Sequence, residues 1–329
     1  MRALVTGGAG FIGHHLVRRL LERGDDVVVL DDFSTGHRAR LEPLEHDIRL
    51  IEGSILDPER LDEAMHDREV VFHQAALASV ARSLVDPLRS NEVNVTGTVR
   101  VMQAAGRQRV RRVLFAGSSS VYGIPVRLPC DESMRPVPES PYGVSKLAAE
   151  HYVHVMGRHL GVQTVTLRYF NVFGPGQDPH SEYAAVVPRF ITAVLRGEAP
   201  TINGSPDISR DFTYVDNVLL ANLLAADERA PTGVTCNIAC GERITLMGLL
   251  DSIFEAAGRS VTPVIGPARA GDIQHSQADI SAAREQLGYE PEVTVNEGIA
   301  RTVEWFAGTV GDRPTPRTND LSGSVRLDP

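Results

Sequence analysis

The sequence predicts an α/β protein with a doubly wound parallel sheet and a smaller mixed α/β lobe. Three observations support this fold class. The first half of the chain alternates short apolar runs with helix-like stretches. The run Val27–Leu30 is continuously aliphatic, which is typical of a parallel strand buried on both faces. A glycine-rich turn joins the first predicted strand to the first predicted helix.

The predicted strands are short apolar runs, and they are Arg2–Thr6, Val27–Leu30, Ile48–Glu52, Val70–His73, Arg112–Gly117 and Val162–Arg168. The helix-like stretches between several of them are Ile12–Glu22, Pro87–Gly106 and Pro141–Arg158. Strands that alternate with helices on this scale need crossover connections, which produce a parallel sheet covered on both faces.

After Phe173 the predicted strands and helices are shorter and scattered. We therefore assign residues 1–173 mainly to the first domain and 174–307 mainly to a second lobe, with segments that return to the sheet. Residues 308–329 are rich in proline, glycine and polar residues, so we predict a disordered tail there.

Composition excludes several classes of protein. The net charge of −9 over 329 residues argues against a nucleic-acid polymer as partner. No run approaches the roughly 20 apolar residues that span a bilayer, so no membrane association is expected. Three cysteines, Cys130, Cys236 and Cys240, are too few for a disulfide framework and favour a reducing cytoplasm. No metal site is predicted, and the pairs His14/His15 and His151/His154 are interpreted as residues on helix surfaces.

The glycine-rich turn has the spacing of a dinucleotide-binding loop. Gly7 permits a tight turn, Gly10 lets the backbone approach a pyrophosphate, and Gly13 lets helix and strand pack closely. The following helix N-terminus supplies free amides and the positive end of a dipole.

An acidic residue, Asp31, follows the second predicted strand and precedes Asp32. A carboxylate at Asp31 can accept both hydroxyls of the adenosine ribose and would repel a 2′-phosphate, which favours NAD over NADP. Arg38 keeps NADP open as an alternative.

The stretch SPYGVSK, residues 140–146, predicts a helix start. Ser140 can cap the first turn and Pro141 suits the first helical position. Tyr142 and Lys146 are four residues apart and so share one face of that helix. Such a face can be catalytic or merely amphipathic.

With these elements assembled, the chain resembles the extended short-chain dehydrogenase/reductase family, and within it the nucleotide-sugar 4-epimerases, which bind NAD on a Rossmann fold. The resemblance runs from residue 1 to about residue 307. Its motifs are TGGAGFIG, HQAA, NVTGT, SSSVYG, YGVSK, RYFNVFGPGQDP, SRDFTYVDN and RAGDIQHSQADI.

The resemblance implies roles for individual residues. Tyr142 and Lys146 match the catalytic tyrosine and lysine, and Ser118 matches the hydroxyl residue that completes the triad. The implied NAD-contacting residues, besides Tyr142 and Lys146, are Gly7, Gly10, Phe11, Ile12, Gly13, Asp31, Asp32, Ser54, Ile55, Ala75, Ala76, Leu77 and Asn94. The implied residues of the UDP-sugar site, besides Tyr142, are Ser79, Ser119, Ser120, Asn171, Val187, Asn203, Arg210, Arg269, Asp272 and Ser276. Ser54 departs from the family, which usually has an aspartate near the adenine at this position.

The family chemistry suits these residues. A free tyrosine has a pKa near 10, so it needs a neighbouring positive charge to act as a base. Lys146 is expected to supply that charge, and Tyr142 to take a proton from a sugar hydroxyl while NAD accepts the hydride. In an epimerase the 4-keto sugar turns over and the steps reverse, so the tightly bound NAD is regenerated in each cycle.

Three other activities are considered. Dehydratases of the family carry two acidic residues where this chain has Ser119 and Ser120, which disfavours dehydration. A UDP-glucuronate decarboxylase on the same scaffold stays open, because a 4-keto uronic acid loses CO₂ readily. A non-catalytic NAD-binding sensor also stays open, although such proteins typically lose the tyrosine or the lysine.

The sugar is not decided by the sequence. Ser276 leaves room for an N-acetyl group without requiring one, so glucose/galactose, GlcNAc/GalNAc and glucuronate/galacturonate carried on UDP are all candidates. The resemblance also implies a homodimer through two helices, one with Tyr142 and Lys146 and the other Val93–Ala105.

Overall fold

A computed structural model of the chain describes residues 1–179, 185–268 and 273–311. Its main feature is a seven-stranded sheet in the order β11-β6-β5-β4-β1-β2-β3, in which every neighbouring pair is parallel. These strands are β1 (Arg2–Thr6), β2 (Asp26–Asp31), β3 (Ile48–Glu52), β4 (Val70–His73), β5 (Arg112–Ser118), β6 (Gln163–Tyr169) and β11 (Val234–Ile238). The predicted doubly wound parallel sheet is thus confirmed, with strand ends that differ by one residue.

Both faces of the sheet are apolar, which explains the continuous aliphatic runs. Val27 and Val29 join the core on one face, and Val28 and Leu30 join the core on the other. Because successive side chains of a strand point to opposite faces, a strand buried on both sides cannot alternate apolar with polar residues.

The helices are α1 (Phe11–Glu22), α2 (Pro58–Met65), α3 (Val80–Val85), α4 (Pro87–Asn91), α5 (Gly97–Arg107), α6 (Pro141–Leu160), α7 (Val186–Arg196), α8 (Val215–Ala226), α9 (Leu246–Ala257), α10 (Ser281–Leu287) and α11 (Val295–Gly311). None of the helices in the described part of the chain has the length and apolar character needed to cross a bilayer.

Two predicted boundaries were wrong. The predicted helix Pro87–Gly106 is divided by a π-helical turn over Glu92–Thr96, because Asn94 is drawn inward to bond the backbone of Leu77. The predicted tail began at residue 308, whereas α11 continues to Gly311.

The remaining strands form three two-stranded pairs outside the main sheet. These strands are β7 (Val172–Phe173) with β10 (Thr213–Tyr214), β8 (Thr201–Asn203) with β13 (Val264–Gly266), and β9 (Ser209–Arg210) with β12 (Ile244–Thr245). The second half of the chain also returns to the main sheet, since β11 pairs with β6.

A fully buried arginine, Arg112, joins the sheet to the end of α8. Its Nη1 donates to the carbonyls of Ala225 (2.6 Å) and Asp227 (2.9 Å), and its Nη2 donates to the carbonyl of Ala230 (2.7 Å). Its Nε and Nη2 also donate to Oε1 of Gln163 (2.9 and 2.8 Å). The guanidinium thereby satisfies carbonyls that the end of a helix leaves without partners.

Candidate active site

A cleft lies at the carboxyl ends of β1, β2 and β4, where ligands of doubly wound sheets bind. It encloses about 490 Å³ of empty space, including its open mouth. The predicted cofactor-contacting residues that line it are Gly7, Gly10, Asp31, Asp32, Ile55, Ala75, Ala76 and Leu77.

The glycine loop is shaped as the spacing predicted. Gly7 has φ of +72°, and a Cβ there would lie 2.7 Å from the backbone of Ala75. A Cβ on Gly13 would overlap the carbonyl oxygen of Gly7. Side chains at either position would fill the cleft floor or push α1 away from it, so the loop fits the pyrophosphate-binding role.

Asp31 closes the cleft at the end of β2. Its two carboxylate oxygens accept the amides of Ala9 and Phe33, each at 2.8 Å. Burial raises the pKa of Asp31, and the two amide donors act in the opposite direction. These bonds orient the carboxylate, and its remaining lone pairs can accept a ribose diol.

Arg38, which kept NADP open, is occupied elsewhere. It forms an ion pair with Glu52 and its guanidinium lies 4.3 Å from the centre of the Phe33 ring. Asp31, rather than Arg38, therefore lines the ribose end of the cleft.

The other predicted cofactor residues do not line the cleft and lie in segments next to it. Phe11, Ile12 and Gly13 form the first turn of α1, whose N-cap is Gly10. Ser54 is used locally, since its hydroxyl accepts the amide of Leu56 (3.3 Å).

Asn94 is buried and holds the loop after β4. Its Oδ1 accepts the Leu77 amide (2.8 Å), and its Nδ2 donates to the Leu77 carbonyl (3.2 Å) and to Oγ of Ser145 (3.0 Å). Ser145 precedes Lys146 on α6. Asn94 therefore ties the cleft wall to the helix that carries Tyr142 and Lys146.

The start of α6 is fixed from two sides, and the predicted helix start is confirmed. Ser140 is the N-cap and its Oγ accepts the Gly143 amide (3.1 Å). The Tyr142 amide is bonded by Oγ of Ser83 (3.0 Å), a fully buried residue of α3 that sequence reasoning missed. Both bonds satisfy free amides of a first helical turn and fix the backbone of Tyr142.

Ser118 lies at the end of β5 and acts on the phenol of Tyr142. Burial raises the pKa of Tyr142, and Ser118, rather than Lys146, is the group that lowers it in this structure. Oγ of Ser118 also lies 2.8 Å from Oγ of Ser120, and accepts the Ser120 amide (3.2 Å). Ser119 and Ser120 follow in a 3₁₀ turn, Ser119–Tyr122, and are half-buried.

Lys146 lies one turn after Tyr142 and is 3% exposed. Its Nζ lies 4.4 Å from the centre of the Phe115 ring, a cation–π contact. Burial lowers the pKa of Lys146 to about 7, against the raising effect of Glu150. Burial thus brings the pKa of the amine toward neutral pH, which suits a group that tunes proton transfer.

A second, larger cavity encloses about 1140 Å³ of empty space, including its open side. The predicted substrate residues that line it are Asn171, Val187, Asn203 and Arg210. Val80 of α3 lines it as well, three residues after Leu77 of the first cleft, so one connecting segment borders both spaces.

Asn171 has φ of +32°, a conformation that few residues adopt without a reason. Its Nδ2 donates to the Asp211 carbonyl (2.9 Å) and to Oγ of Ser276 (3.3 Å). Arg210 donates from Nη1 to the carbonyls of Ser209 (3.0 Å) and Gln274 (3.1 Å). The structure thus brings Ser276 to Asn171, although they lie far apart in sequence.

Ser79 caps α3, where its Oγ accepts the Arg82 amide (3.1 Å), and does not line either space. Arg269 and Asp272 lie outside the described residues. Arg189 on α7 lines the second cavity and was missed. The signal was present in VVPRFI, where an arginine interrupts an apolar run.

The interpretation of the histidine pairs as surface residues was wrong for three of the four histidines. His14 is buried, its Nδ1 lies 2.9 Å from the Gly10 carbonyl, and burial lowers its pKa to about 3. His15 is half-buried, with Nε2 2.8 Å from the Pro175 carbonyl. His154 is half-buried against Thr235.

Comparison with known proteins gives concordant findings. The model of the NAD dependent epimerase/dehydratase family matches residues 3–239. A UDP-glucose 4-epimerase of Mycolicibacterium smegmatis is 40% identical over 310 residues, which cover 93% of this chain and 98% of that protein.

Two solved structures are also similar. The UDP-glucose 4-epimerase of Thermotoga maritima with UDP-glucose has a TM-score of 0.90 and 38% identity, and the match covers 94% of this chain and 100% of that chain. The UDP-N-acetylglucosamine 4-epimerase of Methanobrevibacter ruminantium with UDP-N-acetylmuramic acid has a TM-score of 0.89 and 37% identity, covering 94% and 98%.

Proposed function

The chain belongs to the NAD-dependent epimerase/dehydratase family, as its motifs predicted, and from this premise we propose that it inverts C4 of a UDP-linked sugar. It is an NAD-dependent epimerase by relationship, and what remains to be proposed is the position of inversion, the sugar and the role of each residue. The observation that carries the proposal is that Tyr142 and Lys146 lie one turn apart on α6, with Ser118 acting to lower the pKa of the Tyr142 phenol.

The residues present fit NAD. Gly7 and Gly13 leave room that a Cβ would fill, the amides of the α1 N-terminus can bind the pyrophosphate, and Asp31 can accept the ribose hydroxyls. We assign NAD to the cleft of residues 1–173 and the UDP-sugar mainly to the lobe of residues 174–307. When bound, NAD supplies reversible hydride acceptance at C4 of the sugar.

Tyr142 takes the proton of the sugar's 4-hydroxyl while a hydride leaves C4 of the sugar. Loss of both yields a 4-keto sugar. Ser118, which acts on the Tyr142 phenol, donates a hydrogen bond to the same sugar oxygen. Tyr142 returns the proton after the ketone has presented its other face. Lys146 holds positive charge one turn below the phenol and is placed to bind the cofactor ribose.

The second cavity suits the UDP end of the substrate. Arg189 and Arg210 line it, and guanidinium groups match the oxygens of a diphosphate. The strained Asn171 presents its amide between Asp211 and Ser276. Firm binding of the diphosphate, with only half-buried serines around the ring, allows the keto sugar to rotate.

The test is a panel of UDP-sugars given to the purified protein, with products resolved by NMR. Interconversion of 4-epimers with no net change in cofactor absorbance is expected. The matched control is Tyr142→Phe, which should fold and retain NAD but lose about 10²–10⁴-fold in kcat. Release of CO₂ with a UDP-pentose would replace the proposal by decarboxylation, and no turnover of any UDP-sugar would favour an NAD-binding sensor.

We also propose a homodimer in a reducing cytoplasm, where free cysteines such as Cys130 persist. The outer face of α6 exposes Val144, Tyr152 and Val155, at 53%, 46% and 43%. Such an apolar stripe on a catalytic helix favours burial against a second copy. Light scattering should give the molar mass of a dimer for the wild type and of a monomer for Val155→Glu. A monomeric wild type contradicts the proposal.

A further inference from the structure

A buried ion pair lies one helical turn beyond Lys146. Nε and Nη2 of Arg168, on β6, donate to the two carboxylate oxygens of Glu150 at 3.0 and 2.6 Å. Both side chains are 5% exposed. Burying two charges is costly and often stabilises a fold no better than apolar residues would, so the presence of this pair calls for a reason beyond stability.

The same arginine reaches the turn after Ser118. Nη1 of Arg168 donates to the Tyr122 hydroxyl (2.7 Å), which itself donates to Oδ1 of Asn237 (2.7 Å). Tyr122 ends the 3₁₀ turn that contains Ser119 and Ser120. One guanidinium thus connects the helix of Tyr142 to the turn that follows Ser118.

Glu150 is also the carboxylate that acts on Lys146. The groups that face the amine are the Phe115 ring from β5, His73 from β4, and Glu150 from its own helix. His73 is buried and its pKa is lowered to about 3, so it carries no charge at neutral pH. Among the residues that the structure describes, Glu150 alone raises the pKa of Lys146, which burial lowers.

Lys146 has a further distinction. It is the only lysine among the 33 lysine and arginine residues of the sequence. Arginine provides every other such cation, although its guanidinium stays protonated at all ordinary pH values. The single side chain with a titratable ammonium is the one next to Tyr142, which indicates that its protonation state matters.

We propose that the Glu150–Arg168 pair is a positioning element of the acid–base site, in which Glu150 places a carboxylate one helical turn from the Lys146 amine and Arg168 anchors both Glu150 and the Ser119–Tyr122 turn. The proposal rests on the proposed function for its consequence in turnover, but the effect on Lys146 is independent of any substrate.

Because the chain has one lysine, labelling with ¹³C at the lysine ε carbon gives a single side-chain signal that needs no assignment. Its titration in the NAD-bound protein reports the pKa of Lys146 directly. Compared with the wild type, Glu150→Gln should lower this pKa by about one unit, the effect of removing one close opposite charge. The matched control is Glu297→Gln, which removes the carboxylate of an exposed i,i+4 pair with Arg301 and should leave the titration unchanged.

Glu150→Gln leaves Arg168 buried without its partner and can unfold the protein. The double variant Glu150→Met/Arg168→Met replaces both charges with apolar side chains, which a core tolerates better than one unpaired charge. It should fold and still show the lowered pKa. A wild-type titration of the lysine signal in the double variant overturns the proposal.

Turnover provides the second readout. In kcat/KM against pH, the limb that Lys146 sets should move about one unit to lower pH in the double variant, whereas a purely structural role would lower the whole curve without moving its limbs. Absence of turnover in the wild type contradicts the proposed function alone, since the lysine titration still decides the role of Glu150.

Discussion

Replacement of Arg112 by methionine should destabilise the protein by about 3 kcal/mol. The guanidinium donates to the carbonyls of Ala225, Asp227 and Ala230 and to the side-chain oxygen of Gln163. Methionine fills similar space and donates to none of them.

The magnitude follows from where those acceptors lie. The bond to the Ala225 carbonyl is buried, so leaving that oxygen unpaired costs about 1–3 kcal/mol. The bonds to Asp227, Ala230 and Gln163 are partly buried, and losing each costs about 0.5–1 kcal/mol because water can replace the donor. Part of the sum is offset because the folded state no longer buries a cation.

Urea unfolding followed by circular dichroism measures the effect. With a slope of about 3 kcal/mol/M, the midpoint should fall by about 1 M with no change in slope. Arg112→Lys keeps the charge but has only three donors for four acceptors, so it should fall between the wild type and the methionine variant.

The control is Arg107→Met, the same change at an arginine whose side chain is 48% exposed and bonds Asp62. An exposed pair contributes about 0–1 kcal/mol. If the two methionine variants differ by less than about 0.5 kcal/mol, the carbonyls at the end of α8 do not depend on Arg112 and the reasoning is refuted.

Three further predictions concern the site and its surroundings. Ser118→Ala removes the hydroxyl that lowers the pKa of Tyr142, so the limb of kcat/KM that Tyr142 sets should move to higher pH, and a limb at the wild-type position would contradict this role. The pKa of His73 is about 3 in the folded protein, below its unfolded value of about 6.5, so the unfolded chain binds an extra proton and stability falls as pH decreases from 6.5 toward 3. His73→Asn should reduce that slope by about 1.4 kcal/mol per pH unit in urea titrations. Gly13→Ala should abolish NAD binding measured by fluorescence, because its Cβ overlaps the Gly7 carbonyl, and Gly308→Ala, which meets nothing within 4 Å, should bind NAD normally.

Much of the fold and part of the site could be predicted from local sequence patterns. The aliphatic runs, the glycine spacing and the Ser140–Pro141 helix start each describe a structure that forms within a few residues, so composition and spacing suffice to recognise it. Resemblance to a family added the residues of the substrate lobe, and the structure places Asn171, Val187, Asn203 and Arg210 on one cavity.

Contacts between distant segments escaped prediction. The bond from Ser83 to the Tyr142 amide joins residues 59 positions apart, and no periodicity connects α3 with the start of α6. The π-helical turn at Asn94 has the same origin, since its cause is the Leu77 backbone 17 positions earlier. His14 was placed on the surface because helix periodicity does not reveal that the loop containing Gly176 lies against it.

The sequence by itself determined the alternation of strands and helices in the first half of the chain, the dinucleotide loop, the acid at Asp31 and the pairing of Tyr142 with Lys146 on one helical face. Only the tertiary structure decided what surrounds that face: Ser118 against the phenol, Phe115 under the ammonium, and the buried Glu150–Arg168 pair behind it. The physical reason is that helix and strand geometry repeat over a few residues, whereas burial and charge depend on which segments pack together. The protonation of Tyr142 and Lys146 depends on that burial and charge, so it is a property of the folded chain.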